Sequence, residues 1–149
     1  MDPPAPTPQR VRWITIADKL LREWILIDVD ATIVTAASNR EGATGTFKRT
    51  YGRHPLAAWC ANTSESLATL LRKGNAGSNT VADHITVIRA ALAQIPGQVG
   101  AKLLVRIDRA GATHDLLTYL EGLTTTRRTV GWAITGADEE AIAHLPEDA

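Results

Sequence analysis

Cysteine is all but missing from this chain: Cys60 is the only one in 149 residues. Neither a disulfide framework nor a thiolate zinc site can be built within the chain, which fits a reducing, cytoplasmic setting. An excess of charge is missing too, since 16 Lys and Arg residues face 16 Asp and Glu. Global electrostatics therefore make no case for nucleic acid, and any basic footprint must be local. No apolar run approaches the roughly 20 residues of a membrane helix, and no signal peptide is visible, so no membrane partner is expected. The length suits one domain with a real core. No internal repeat is apparent. The opening MDPPAPTPQR is rich in proline and has little to bury. Residues 1–10 are expected to be a disordered lead-in to a domain over 11–149.

The most informative stretch is ILIDVDATIVT, Ile25 to Thr35. It is otherwise built for a core, yet it carries Asp28 and Asp30. Side chains alternate along a strand, so both carboxylates point the same way. Burying two like charges side by side is costly unless something positive compensates them, and a metal ion would do so. A solvated strand end without function is the plain alternative.

Around this strand the pattern predicts an ordered series of elements. Val11 to Trp24 reads as a short helix with Ile16, Leu20 and Leu21 on one side. Ile25 to Ala36 reads as a strand. SNREGATG is a turn, and the stretch from Thr46 to Cys60 is extended with a bend at Gly52 or Pro55. SLATLL, Ser66 to Leu71, is a third strand. Short links without a helix between them argue for an antiparallel meander. Val81, Ile85, Ile88, Leu92 and Ile95 then recur at helical steps, Thr80 and Asp83 have capping-box spacing, and Pro96 and Gly97 end the helix. Ala101 to Asp108 is a fourth strand, THDLLTYLEGL a helix closed by Gly122, RTVGWAIT a fifth strand, and DEEAIAHL the start of another helix. Three strands, helix, strand, helix, strand, helix is the order of a ribonuclease-H-like mixed α/β sheet, here expected to be incomplete. Such a sheet sets the first and fourth strands side by side and brings Asp108 near Asp28 and Asp30.

Three acids at two strand positions form a plausible divalent-metal site, since magnesium takes one or two carboxylates together with water and phosphate. Lys48, Arg49 and Arg53, with Tyr51, make a local basic cluster able to follow a phosphate backbone, or else an ordinary charged hairpin face. KGNAGSN reads as a loop capping the long helix rather than a phosphate nest. His54 reads as structural, His84 as a surface or core-edge residue, and Arg127 and Arg128 as solvated turn residues; His114, six residues past Asp108, has an approach to the site only as the lesser alternative. ILIDVDATIV also resembles the first motif of the haloacid-dehalogenase phosphatases, with Asp28 as nucleophile, Asp30 as general acid and Thr135 of WAITG as the second motif. Against it, Ala31 stands where that family has glycine, and its lysine and late acidic motif are not evident.

Three phrases in register carry a second resemblance: LIDVDATIVTAASNREGATGTFKRTYGRHPL, LLRKGNAGSNTVADHI and LVRIDRAGATHDLL. From about Trp24 to Asp148 the chain resembles the DDE-type insertion-sequence transposases of the thirteen-eighty group, kin of the wider IS-four clan. The resemblance implies a ribonuclease-H-like core, Mg2+ or Mn2+ as cofactor, and cutting and joining of DNA at insertion-element ends. It places the first catalytic, metal-binding acid at Asp30 in the Asp-x-Thr context, with Asp28 as the alternate, and the second at Asp108 in RIDRAG. It also implies a third acid, a Glu on a later helix. Glu139, Glu140 and Glu147 come too soon after the fifth strand to match it. The expectation is therefore a truncated transposase, inactive alone, with DNA and a full-length transposase as its partners.

Overall fold

Five strands form the central sheet, and their order is set by one long apolar strand. The structure, a computed structural model, describes residues 13–16, 18–36, 41–77, 80–96, 101–108, 113–123, 126–131 and 134–146. In chain order the elements are β1 (Ile14–Ile16), β2 (Lys19–Leu21), β3 (Trp24–Ala31), β4 (Val34–Thr35), β5 (Thr44–Gly45), β6 (Tyr51–Arg53), β7 (Leu56–Cys60), β8 (Glu65–Leu70), α1 (Val81–Gln94), β9 (Lys102–Ile107), α2 (His114–Glu121), β10 (Thr126–Val130) and α3 (Gly136–Ala143). The main sheet runs β10-β9-β3-β7-β8. β3 pairs antiparallel with β7, and β7 with β8, whereas β9 joins β3, and β10 joins β9, in parallel. The expected meander followed by helical crossovers is thus present, with β3 and β9 adjacent.

Alternation along β3 separates two faces. Ile25, Ile27 and Val29 pack in one buried cluster with Leu56, Ala58 and Cys60 of β7, Val105 and Ile107 of β9, and Leu116 and Leu120 of α2. α1 lies on this face through Val87, Ile88 and Ala91. Its buried face is rotated from the expected one: His84, Val87 and Ala91 are buried beside Ile88, while Val81, Ile85, Leu92 and Ile95 pack at its margins. His84 is tolerated there because its Nδ1–H donates to the Thr80 carbonyl at 3.0 Å.

Four local expectations are corrected. Among its described residues, the Val11–Trp24 segment is a hairpin of β1 and β2 rather than a helix. Asp18 and Glu23 adopt φ values of 60° and 63°, which a right-handed helix cannot contain. The capping box at Thr80 does not form: Asp83 pairs instead with Arg72 at 3.2 Å, and the Thr80 hydroxyl donates to the Gly77 carbonyl. A capping box does form at α3, where Thr135 and Asp138 satisfy each other's backbone. Hydrogen bonds from the Thr135 hydroxyl and then its backbone N–H hold the Asp138 carboxyl below its ordinary range, so the cap's contribution is full above that range and is lost as pH falls below it through the lowered folded-state value. The fifth strand begins at Thr126 and ends at Val130, so Arg127 and Arg128 lie in a strand and not a turn. Arg128 pairs with Glu121 of α2.

A smaller sheet, β4-β6-β5, continues the β3–β7 ribbon beyond Ala31 and Leu56. The bend falls at His54 and Pro55, and Thr32 N–H donates to the Pro55 carbonyl at 3.2 Å. This extension leaves from the end of β3 that carries Asp30. No helix among the described residues is long and apolar enough to cross a membrane. Residues 1–10 lie outside the described residues.

Candidate metal site at the ends of two parallel strands

Asp28 and Asp30 follow β3 onto the face opposite α1 and α2. The parallel register sets Asp28 beside Arg106 and Val29 beside Ile107. The next residues on each strand are Asp30 and Asp108, so the pairing that aligns the apolar residues also brings these two acids to neighbouring strand ends. On the other side of β3, Asp28 is opposite Trp59 and Asp30 opposite Ala57. Asp28, Asp30, Trp59, Arg106 and Asp108, with Val29 and Ile107, line an open depression of about 440 Å³. That is room for a hydrated ion and a phosphate group.

The charge that offsets Asp28 comes from the protein itself. Arg106 Nε donates to Asp28 Oδ1 at 2.6 Å, and Nη2 donates to Oδ2 at 2.7 Å. This two-pronged geometry matches the planar guanidinium fork to the carboxylate. The hydrogen bonds raise the Arg106 pKa above its ordinary value, the Asp28 charge adds to the shift, and burial opposes it. Asp30 is exposed, and its Oδ1 accepts the Ala31 N–H at 2.7 Å. Asp108 is exposed immediately beyond β9. Asp30 and Asp108 are both exposed and line the depression, and carboxylates are the ligands of a divalent ion, which takes one or two of them and completes its shell with water and phosphate oxygen. Among the described residues, no three His, Cys, Asp or Glu side chains are grouped to hold an ion.

The basic cluster divides. Lys48 and Arg49 are exposed at the tip between β5 and β6, with Lys48 Nζ 5.9 Å from the Phe47 ring centre and Arg49 at φ 58°. Arg53 is half-buried, and its guanidinium donates to the Glu41 carbonyl. His54 is buried, hydrogen-bonded through Nδ1 to the Ala76 carbonyl at 3.0 Å. His114 is the exposed first residue of α2.

Sequence reasoning missed Arg106, Trp59 and Arg72. Arg-x-Asp on β9 repeats the spacing of Asp-x-Asp on β3, so the signal for the Asp28–Arg106 pair was present. Only the strand register turns it into a contact. The phosphatase reading fails on the same geometry. β3 runs into antiparallel partners with no helix between among the described residues, Asp28 has both oxygens engaged by Arg106, and Thr135 caps α3.

The fold is a mixed α/β sheet with acids at the ends of its first and fourth core strands. Residues 12–148 match the family described as Transposase DDE domain group 1, and the chain belongs to that family. Among solved structures it is similar to the piggyBac transposase in a synaptic complex with hairpin DNA, at 11% identity and a TM-score of 0.52, over 82% of this chain and 26% of that one. It is also similar to the Mos1 mariner paired-end complex with Mn, at 16% identity and a TM-score of 0.47, over 69% of this chain and 34% of that one. The first likeness shows the fold. The chain thus spans about a quarter and about a third of these two proteins. No curated protein matches.

Proposed function

We propose that Asp30 and Asp108 are the first two catalytic acids of a transposase of the thirteen-eighty group, holding Mg2+ or Mn2+ against a DNA end. The observation that carries this reading is the β3–β9 register, which sets the two acids at adjacent strand ends in one open depression. Asp30 is the first acid and Asp28 is not, because Arg106 already occupies both Asp28 oxygens. A bound divalent ion would supply stabilisation of the entering and leaving oxygens in phosphodiester cleavage and strand transfer. The chain's own contribution is to fix two carboxylates at the ends of two adjacent interior strands. The piggyBac transposase, similar in fold, is found in a synaptic complex with hairpin DNA, which supports DNA as the partner.

The test is calorimetric titration of the purified chain with manganese. Wild type should bind, and Asp30→Ala with Asp108→Ala should lose at least tenfold in affinity with an unchanged circular-dichroism spectrum. Binding that survives both substitutions would remove the assignment. By itself the chain should not nick supercoiled plasmid at a useful rate with either metal, because two carboxylates supply only part of the cage and a misplacement of about 1 Å costs on the order of a hundredfold. Nicking by wild type that the double variant lacks would overturn this part.

DNA contact falls to Lys48 and Arg49, which stand free at the tip of the extension that leaves the acid end of the sheet. Each phosphate neutralised steepens the dependence of log affinity on log salt by about 0.9. Removing both cations should flatten the slope for a duplex oligonucleotide by up to about 2, with Arg53→Ala leaving it unchanged. An unchanged slope in the double variant would place the DNA elsewhere.

A further inference from the structure

We infer that the Asp28–Arg106 pair sets the charge of the metal site and withholds Asp28 from the ion. This inference rests on the reading of Asp30 and Asp108 as ligands. Asp28 lies one pleat from Asp30 on the same face, about 6.6 Å along the strand. Left unpaired, its carboxylate would stand as a third anion beside the ion. Arg106 prevents this in two ways. Its fork takes both Asp28 oxygens, at 2.6 and 2.7 Å, so no lone pair is well placed for a metal. Its charge also cancels that of Asp28, so the pair adds no net charge to the depression. A site with fewer negative charges releases metal and phosphate more readily.

The pair is placed for this role rather than for holding the fold. Its two side chains are 39% and 35% exposed, and an exposed ion pair contributes little to stability. The β3–β9 ladder on either side is secured by the apolar residues of the opposite face. A positioning role through charge makes a prediction that a merely structural role does not: the two single substitutions must act in opposite directions.

Asp28→Asn leaves an uncompensated guanidinium beside the ligands and should weaken manganese binding about five- to tenfold. Arg106→Gln releases a third carboxylate and should tighten it by a similar factor. The double variant again adds no net charge there and should return affinity to within about twofold of wild type. Manganese titration, by calorimetry and by loss of the free-ion electron-paramagnetic-resonance signal, reads all three. If both single variants weaken binding, the pair is structural and the inference is wrong. Should Arg106→Gln fail to fold, Arg106→Lys decides, because it keeps the cation and drops the fork. Affinity near wild type then supports the charge role, and loss of binding overturns it. The Asp30→Ala, Asp108→Ala control separates this failure from failure of the ligand assignment: binding that persists there overturns the ligands themselves.

Discussion

Replacing Arg72 with alanine should destabilise the chain by about 3 kcal/mol, the low end of what breaking a buried ion pair costs. Arg72 is 7% exposed and joins three parts of the molecule. Its Nε donates to the His54 carbonyl at 2.9 Å, and its Nη1 donates to the Gly77 carbonyl at 3.0 Å and to Asp83 Oδ2 at 3.2 Å. It thereby ties the end of β8 to the bend between β6 and β7 and to the first turn of α1. Alanine leaves the His54 carbonyl without its donor, the Gly77 carbonyl with only the Thr80 hydroxyl, and Asp83 without its cation. The Asp83 side chain is 29% exposed and can turn to water, which keeps the loss from reaching the upper end. Urea denaturation should show a lower midpoint with an unchanged slope. Arg72→Ala in an Asp83→Ala background should cost measurably less, since the stranded carboxylate is gone. A loss under about 1 kcal/mol would mean that these contacts are replaced by water without penalty.

Gly52→Ala should cost a comparable amount for a different reason. Gly52 is the middle residue of the small sheet, paired with Thr35 on one side and Thr44 on the other. A Cβ there would sit 2.2 Å from the Val34 carbonyl oxygen and 2.9 Å from Thr35 Cα. Both are backbone atoms, so no side chain can swing aside and the strands must separate. Gly74 closes the same junction, where a Cβ would lie 2.4 Å from the Gly52 oxygen and 2.6 Å from that of Thr44. Overpacking typically costs 1–3 kcal/mol and occasionally more, so about 3 kcal/mol and a fall of on the order of 10 °C in Tm are expected. Hydrogen exchange should quicken at the Ala36 amide, which donates to the Tyr51 carbonyl at 2.9 Å. A Tm within about 2 °C of wild type would show that β4 and β6 part at little cost.

These two junctions show where local reasoning stops. Neither Arg72 nor Gly52 has a sequence neighbourhood that announces its role, because their partners lie at residues 34, 44, 54, 77 and 83. The Thr80–Asp83 spacing failed for the same cause. Arg72 offered Asp83 a buried cation, a stronger partner for a carboxylate than a backbone N–H. The first segment misled differently. Ile16, Leu20 and Leu21 fit a helical face, but a β-hairpin with two left-handed residues claimed them.

The amino-acid sequence by itself determined the class of fold and the pair of strands that matters. Unbroken β-branched runs, helical periodicity from Val81, and short links before it leave few arrangements other than an antiparallel meander followed by crossovers. Alternation alone put Asp28 and Asp30 on one face. What only the tertiary structure decided was which acid is engaged. Two like residues one pleat apart are equivalent in local pattern, and they become different when β9 settles one register against β3. That register is fixed by the burial of Ile25, Ile27 and Val29 against Val105 and Ile107, since a slip of one residue would turn every apolar side chain outward. It sets Arg106 beside Asp28 and leaves Asp30 at the open end with Asp108.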